Sequence, residues 1–193
     1  NNPILTFLMA ERLSDNVWKI NVDSNIYVVE GYTVIDTGPR MYRQDVINEF
    51  SKITDVNKIK RVIFTHLHYD HMGNFDLFPN AEFFASEQEI SDFNLDPLGA
   101  TVGLDPLLLA RFKKIKLQPI SGEGFEIIGT PGHTKGSICL FYAKDKILFT
   151  GDTRFEEGYG RLDLPTSSPE DMPSSLDKIE KIDYRILAPG HDY

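Results

Sequence analysis

His66-Leu67-His68-Tyr69-Asp70-His71 places three histidines and a carboxylate within six residues. The other two of the chain's five histidines stand in Thr130-Pro131-Gly132-His133-Thr134 and Pro189-Gly190-His191-Asp192. Histidines used for packing would not all fall in short turns flanked by glycine or proline and acidic residues. Imidazole is the commonest side-chain metal ligand, and mixed histidine–carboxylate sets suit zinc, iron or manganese. Residues two apart do not share a helix face, so a turn or irregular loop is expected to aim His66 and His68 at one ion. Asp70 and His71 then face a neighbouring ion. His133 is expected to complete the first set and His191 the second, while the two oxygens of Asp152 bridge both. Two open sites of three or four protein ligands around a shared water are what metal-assisted hydrolysis requires. A purely structural zinc site is the poorer reading, since such sites favour thiolate shells and this chain has one cysteine, Cys139.

Strands must deliver these turns. Val17–Val22 alternates, Ile26–Val29 follows the Asp23-Ser24-Asn25 turn, and Gly31 permits a reversal into Tyr32–Ile35. Val46, Ile47, Phe50 and Ile53 recur at one-face spacing and predict a helix between Arg40 and Thr54. The apolar run Arg61–Thr65 is a strand that releases His66. Ala81–Ala85 is another strand, and Ser86 with Glu89 forms a capping box for a helix after it. From Phe93 to Ala110 the breakers Pro97, Gly99, Gly103 and Pro106 predict a mobile, leucine-rich loop running into a short helix near Leu107–Phe112. That stretch is either a substrate wall or a packed connection. Strands resume at Phe125–Ile128, Ser137–Tyr142 and Lys146–Thr150, the last ending at Gly151-Asp152. Ser168-Pro169-Glu170-Asp171 reads as a helix start with Ser168 as its cap. Arg185–Ala188 is a final strand before His191. Strands then helix, twice over, predict an α/β fold of two face-to-face sheets with helices outside.

The 193 residues fit one domain, residues 1–193, with 41% hydrophobic content and no repeat or low-complexity tract. Twenty basic against 29 acidic residues give a net charge of −9, which disfavours nucleic acid as a partner and leaves a small molecule. No apolar run is long enough for a transmembrane helix and no signal-peptide pattern is visible, so no membrane partner is expected and the cytoplasm is the default location. The oligomeric state is not legible. Cys139 lies in an apolar strand and is expected to be an inert core thiol.

With those residues in hand, the chain resembles the metallo-β-lactamase superfamily nearly end to end: His-x-His-x-Asp-His, then a distant His, Asp and His. The matching positions are His66, His68, Asp70, His71, His133, Asp152 and His191. The resemblance implies an αββα sandwich of two mixed sheets and two divalent metal ions, zinc first, with iron or manganese as alternatives. It also implies a bridging hydroxide that attacks a thioester or ester carbonyl, with Asp70 and Asp152 as the catalytic carboxylates. Ile35-Asp36-Thr37-Gly38 looks like the family's early Asp-Thr-Gly turn, whose Asp supports the metal site from behind its ligands. Thr130–Thr134, Phe149–Thr153 and Gly160–Pro165 are similar to the glyoxalase II-like thioesterases, which makes a hydroxyacyl thioester the leading substrate class. The chain stops two residues past His191, without that branch's C-terminal glutathione-holding helices. Leu162, Lys135 and Thr166-Ser167-Ser168 also depart from the pattern, so glutathione specificity is not implied. The alternatives are a persulfide dioxygenase with one iron on the same scaffold, and a lactonase.

Three further residues are candidates for substrate binding. Arg161 offers a planar guanidinium suited to a carboxylate, or else pairs with Asp163 at the surface. Tyr159 and Tyr193 flank the expected cleft and either contact substrate or pack at its rim.

Overall fold

The computed structural model describes residues 10–193. A seven-stranded sheet runs β1 (Ala10–Arg12), β2 (Val17–Val22), β3 (Ser24–Val29), β4 (Thr33–Ile35), β5 (Arg61–Ile63), β6 (Glu82–Ala85) and β7 (Leu117–Pro119), in that order across the sheet. Its first four strands form an antiparallel meander, and β4 to β7 are parallel. The reversal from β3 to β4 puts Glu30 and Gly31 at φ 55° and 74°, the left-handed pair that tight hairpins demand. The second sheet has the order β11 (Ile186–Pro189), β10 (Ile147–Gly151), β9 (Ile138–Tyr142), β8 (Glu126–Gly129), with only the β10–β11 pair parallel.

The period-two alternation of the strands sorts the core into layers. Tyr27, Val29, Ile35, Ile63, Leu140 and Phe149 fill the space between the two sheets. Their neighbours Ile26, Val28, Val34 and Val62 face the other way, under α1 (Arg43–Phe50) and the helices that follow. Both faces of β3 are therefore covered, and all six of its residues are buried. On the outside of the small sheet, Cys139 and Leu148 pack against Ile179 of α6 (Met172–Glu180). The αββα sandwich expected from the sequence is present.

Three details differ from expectation. The helix anticipated over 40–54 is a 3-10 turn, Arg40–Tyr42, followed by the shorter α1, and the chain leaves it in turns from Ser51. The loop anticipated from Phe93 onward carries helix: α3 (Glu87–Leu95) is followed by α4 (Pro97–Thr101), ahead of α5 (Pro106–Phe112), the short helix expected near Leu107–Phe112. Asp96 and Asp105 cap these two helices by accepting from Gly99 N and from Leu107 and Leu108 N, with Pro97 and Pro106 at the first helical positions. Ser168 stands before the 3-10 turn Pro169–Asp171 but makes no side-chain capping bond there. Among the described residues, no helix is long and apolar enough to cross a membrane.

Candidate metal centre

One edge of the sandwich collects the carboxyl ends of five strands. Asp36 follows β4, the His66–His71 segment follows β5, His133 lies in the turn after β8, Asp152 follows β10 and His191 follows β11. The two sheets are tied together there by Ile138 N donating to Thr65 O at 3.1 Å and Asn25 N donating to Gly190 O at 2.7 Å. Leu67 is buried in the outer core, so alternation turns His66 and His68 away from that core on either side of it. His68 then precedes a single helical turn, α2 (Tyr69–Met72), which carries Asp70 and the buried His71. The segment is thus loop at the first two histidines, as expected, and helix at Asp70-His71. Two glycines are required by proximity: a Cβ on Gly160 would meet His133 Nδ1 at 2.6 Å, and one on Gly190 would collide with the Asp152 carboxylate.

The structure brings all seven residues named from the sequence into one cluster. Their donor atoms form three overlapping trios: His66, His68 and His133; His66, His71 and Asp152; and Asp70, His71 and His191, each within 4.8 Å. Asp152 sits between the two halves. Its Oδ2 lies 3.3 Å from His133 Nε2, 3.5 Å from His191 Nε2 and 4.0 Å from His66 Nε2, while Oδ1 lies 3.2 Å from His71 Nε2. Asp70 Oδ2 is 3.1 Å from His191 Nε2 and 3.6 Å from His71 Nε2.

The far ring nitrogens are held from behind. His71 Nδ1 is 2.9 Å from Asp36 Oδ2, His133 Nδ1 is 2.7 Å from Arg161 O, His191 Nδ1 is 3.0 Å from Asp23 O, and His66 Nδ1 is 3.0 Å from Thr65 Oγ1. Such partners fix ring orientation and leave the opposite nitrogen as a lone-pair donor. Asp36, held at φ 58°, also accepts from Thr65 N and Thr65 Oγ1 at 2.8 and 2.7 Å.

This donor set fits cations. Buried His66 Nε2 and His68 Nε2 have no hydrogen-bond partner among the described residues, and His71 Nε2 and Asp152 Oδ1 have only each other, at 3.2 Å. Orphaned buried polar atoms are costly unless something binds them. His133 Nε2 and His68 Nδ1 stand 3.0 Å apart; with the His133 proton committed to Arg161 O, two lone pairs would face each other unless a proton or a metal ion intervenes. Burial pushes His66 well below the usual imidazole value and His68 down to about 3, and the neighbouring imidazoles push the same way. Burial also lowers His133, against the pull of Asp152. All three are neutral, ligand-ready rings. Burial opposes protonation of His71 and His191 too. There the Asp152 and Asp70 carboxylates win, raising His71 and carrying His191 to about 10. Asp152 is held well below the carboxylate range by His71 and His191 despite its burial. Protons on His71 and His191 thus balance carboxylates that a divalent cation would otherwise neutralise.

Glu89 carries a role that its sequence signal did not reveal. Ser86 Oγ accepts from Glu89 N at 3.1 Å, which is half of a capping box. The Glu89 side chain does not return to the helix start. Instead its buried carboxylate accepts from Leu67 N at 2.8 Å and from Thr134 Oγ1, clamping the His66–His68 loop to the His133 turn. Burial raises this carboxyl to about 7, against the hydrogen bonds from Thr134 and Leu67.

A cleft of about 430 Å³ opens over the cluster, lined by Asp70, His133, Asp152 and His191 and by Tyr159, Arg161 and Tyr193. The Tyr193 ring stacks parallel on His191 with centroids 5.1 Å apart, and Tyr159 is half exposed at the rim. The Arg161 guanidinium is exposed and makes two bonds to Asp163 at 2.6 and 2.7 Å, the surface pair expected as its alternative. Its carbonyl, by contrast, holds His133. Cys139 lies elsewhere, buried, with its thiol pushed up to about 11 by desolvation.

Comparison with known proteins gives a consistent result. A family model described as the metallo-beta-lactamase superfamily matches residues 21–191. A protein of Streptococcus pyogenes named "Probable metallo-hydrolase" is 34% identical over 188 residues, covering 90% of this chain and 79% of its own length. A hydroxyacylglutathione hydrolase of Photorhabdus laumondii is 30% identical over 189 residues, covering 94% of this chain and 64% of its own. Among solved structures, one described as a di-iron-bound form superimposes with a TM-score of 0.67 at 21% identity, over 88% of each chain.

Proposed function

This chain belongs to the metallo-beta-lactamase superfamily, and from that premise we propose that it is a binuclear metal-dependent hydrolase of thioesters or esters. The observation that carries the reading is Asp152, whose two oxygens lie between two groups of inward-facing imidazoles. His66, His68 and His133 would hold one ion, Asp70, His71 and His191 the second, and Asp152 both. When bound, divalent ions supply a nucleophile by lowering the pKa of water to near neutrality, and a Lewis acid for the carbonyl oxygen.

The rest is done by the chain's own groups. Asp36 fixes the His71 ring through Oδ2, and the Arg161 and Asp23 carbonyls fix His133 and His191. Asp70 is the least buried acid of the cluster, with 18% of its side chain exposed toward the cleft. Its Oδ2 is the group we assign to orient the attacking water and receive its proton. Tyr193, Tyr159 and Arg161 form the rim against which the substrate's polar half lies. The hydroxyacylglutathione hydrolase relative supports a hydroxyacyl thioester as the substrate class. This chain spans 64% of that relative, so selectivity for glutathione is not carried over. The test is thiol release from a panel of thioesters, S-lactoylglutathione included, by protein reconstituted with zinc or iron. Cleavage of thioesters or simple esters is expected. A protein loaded with two ions that cleaves neither would overturn the assignment.

A further inference from the structure

A second cavity, of about 950 Å³, lies beside the cleft and is lined by the 3-10 turn at 40–42, the α4–α5 connection and α5. Its apolar surface comes from Met41, Tyr69, Val102, Leu104, Leu107 and Leu108. Leu104 and Leu108 are buried as its floor, whereas Met41 is 80% and Leu107 79% exposed. Two large side chains from separate elements, both left in water along one groove, mark a binding surface rather than scattered exposure. The groove is continuous with the metal cleft, because Tyr69 and Val102 line both. Val102 holds this junction at φ 59°, ψ 48°, a left-handed conformation that a β-branched residue adopts only at a cost.

We propose that this groove is the acyl subsite: the substrate is a thioester or ester whose acyl half carries an extended hydrocarbon chain that runs past Tyr69 and Val102. This rests on the hydrolase reading above. The chain belongs to the acyl side because biological thiol carriers are polar and charged. They match the opposite rim, formed by Tyr159, Arg161 and Glu157. Arg40 and Arg111, which border the groove, share the Asp76 carboxylate with Arg43, at 2.6, 3.4 and 2.7 Å, and the walls between them are apolar.

The test uses thioesters of N-acetylcysteamine bearing acetyl, hexanoyl or decanoyl groups. It adds the matching ketones, in which a methylene replaces the sulfur and blocks hydrolysis. For the wild-type protein, kcat/KM and ketone affinity should both rise by roughly two- to fourfold per accommodated methylene. The Met41→Glu/Leu107→Glu variant alters only exposed positions and should keep its melting temperature while losing the chain-length gain. Ketone binding that strengthens with chain length and is lost in the variant, without cleavage of any thioester or of the matching esters, would uphold the groove and overturn the hydrolase reading. Affinity and turnover independent of acyl length, or a gain that survives the variant, would overturn the proposal. So would a gain seen only when the alkyl chain is moved to the thiol half.

Discussion

Replacing Glu89 with glutamine should abolish a pH dependence of stability that the wild-type protein carries. The folded carboxyl, raised by burial to about 7, keeps its proton where an unfolded glutamate, near ~4.3, has released it. Between those values the folded chain binds more protons, so stability falls as pH rises through the window. The two values give a loss of about 2.5 kcal/mol from about pH 5 to about pH 8. Glutamine reproduces the protonated acid: its carbonyl oxygen accepts from Leu67 N and its amide donates to Thr134 Oγ1. At the acid end the variant should therefore lie within ~1 kcal/mol of wild type, and at the alkaline end it should be the more stable by about 2 kcal/mol. Glu89→Ala would instead leave Leu67 N–H unpaired in the interior and Thr134 Oγ1 with Ser137 Oγ alone, costing roughly 1–3 kcal/mol at every pH. Urea denaturation of the metal-free proteins across the range reads the difference directly and cancels the shared titration of the histidines. A wild-type-minus-glutamine difference that stays flat with pH would refute the reasoning, because the buried carboxyl would then carry the same proton folded and unfolded.

Three further predictions concern the metal cluster. Asp36→Ala removes the oxygens that hold His71 Nδ1 and both Thr65 donors, and zinc affinity measured by competition with a chromophoric chelator should fall roughly 10- to 100-fold. His71 and His191 are raised above the ordinary imidazole value, so both are protonated at neutral pH in the metal-free protein. Metal binding must then expel about two protons, and calorimetry in buffers of different ionisation enthalpy should count them. Arg161→Ala breaks only an exposed pair with Asp163 and keeps the carbonyl that holds His133, so the melting temperature should not change. A rise in KM with kcat preserved would place the guanidinium on the substrate, and unchanged kinetics would leave it as surface structure.

The cluster was legible because its chemistry is local in sequence. Each histidine sits in a short turn with its own glycine, proline or acid, and strand ends aim such turns at one edge of a sheet. The seven side chains named from spacing and resemblance are those that the fold brings together. Less was visible of what holds them. Glu89 carries a helix-start signal, and only the packing of α3 against the His66 loop and the His133 turn sends its carboxylate there instead. The Arg161 carbonyl behind His133 and the Asp23 carbonyl behind His191 are main-chain atoms with no residue signature. Over 93–110 the short helix expected near Leu107–Phe112 is present as α5, and the departure is the additional helix α4. Pro97 and Pro106 act as helix starters there because each follows an aspartate, and Asp-Pro is a cap followed by a first helical residue. β1 and β7, three residues each at the sheet edges, are too short for alternation to register.

The measurement that bears most directly on the account is the metal content of the purified protein, counted per polypeptide with Asp152→Ala beside it. The geometry of Asp152 between the two histidine groups predicts close to two ions in the wild type, and a loss of at least one in the variant. Close to one iron and no zinc in the wild type would contradict the binuclear hydrolase and favour a mononuclear oxygenase. Two ions retained by Asp152→Ala would show that its carboxylate does not join the sites.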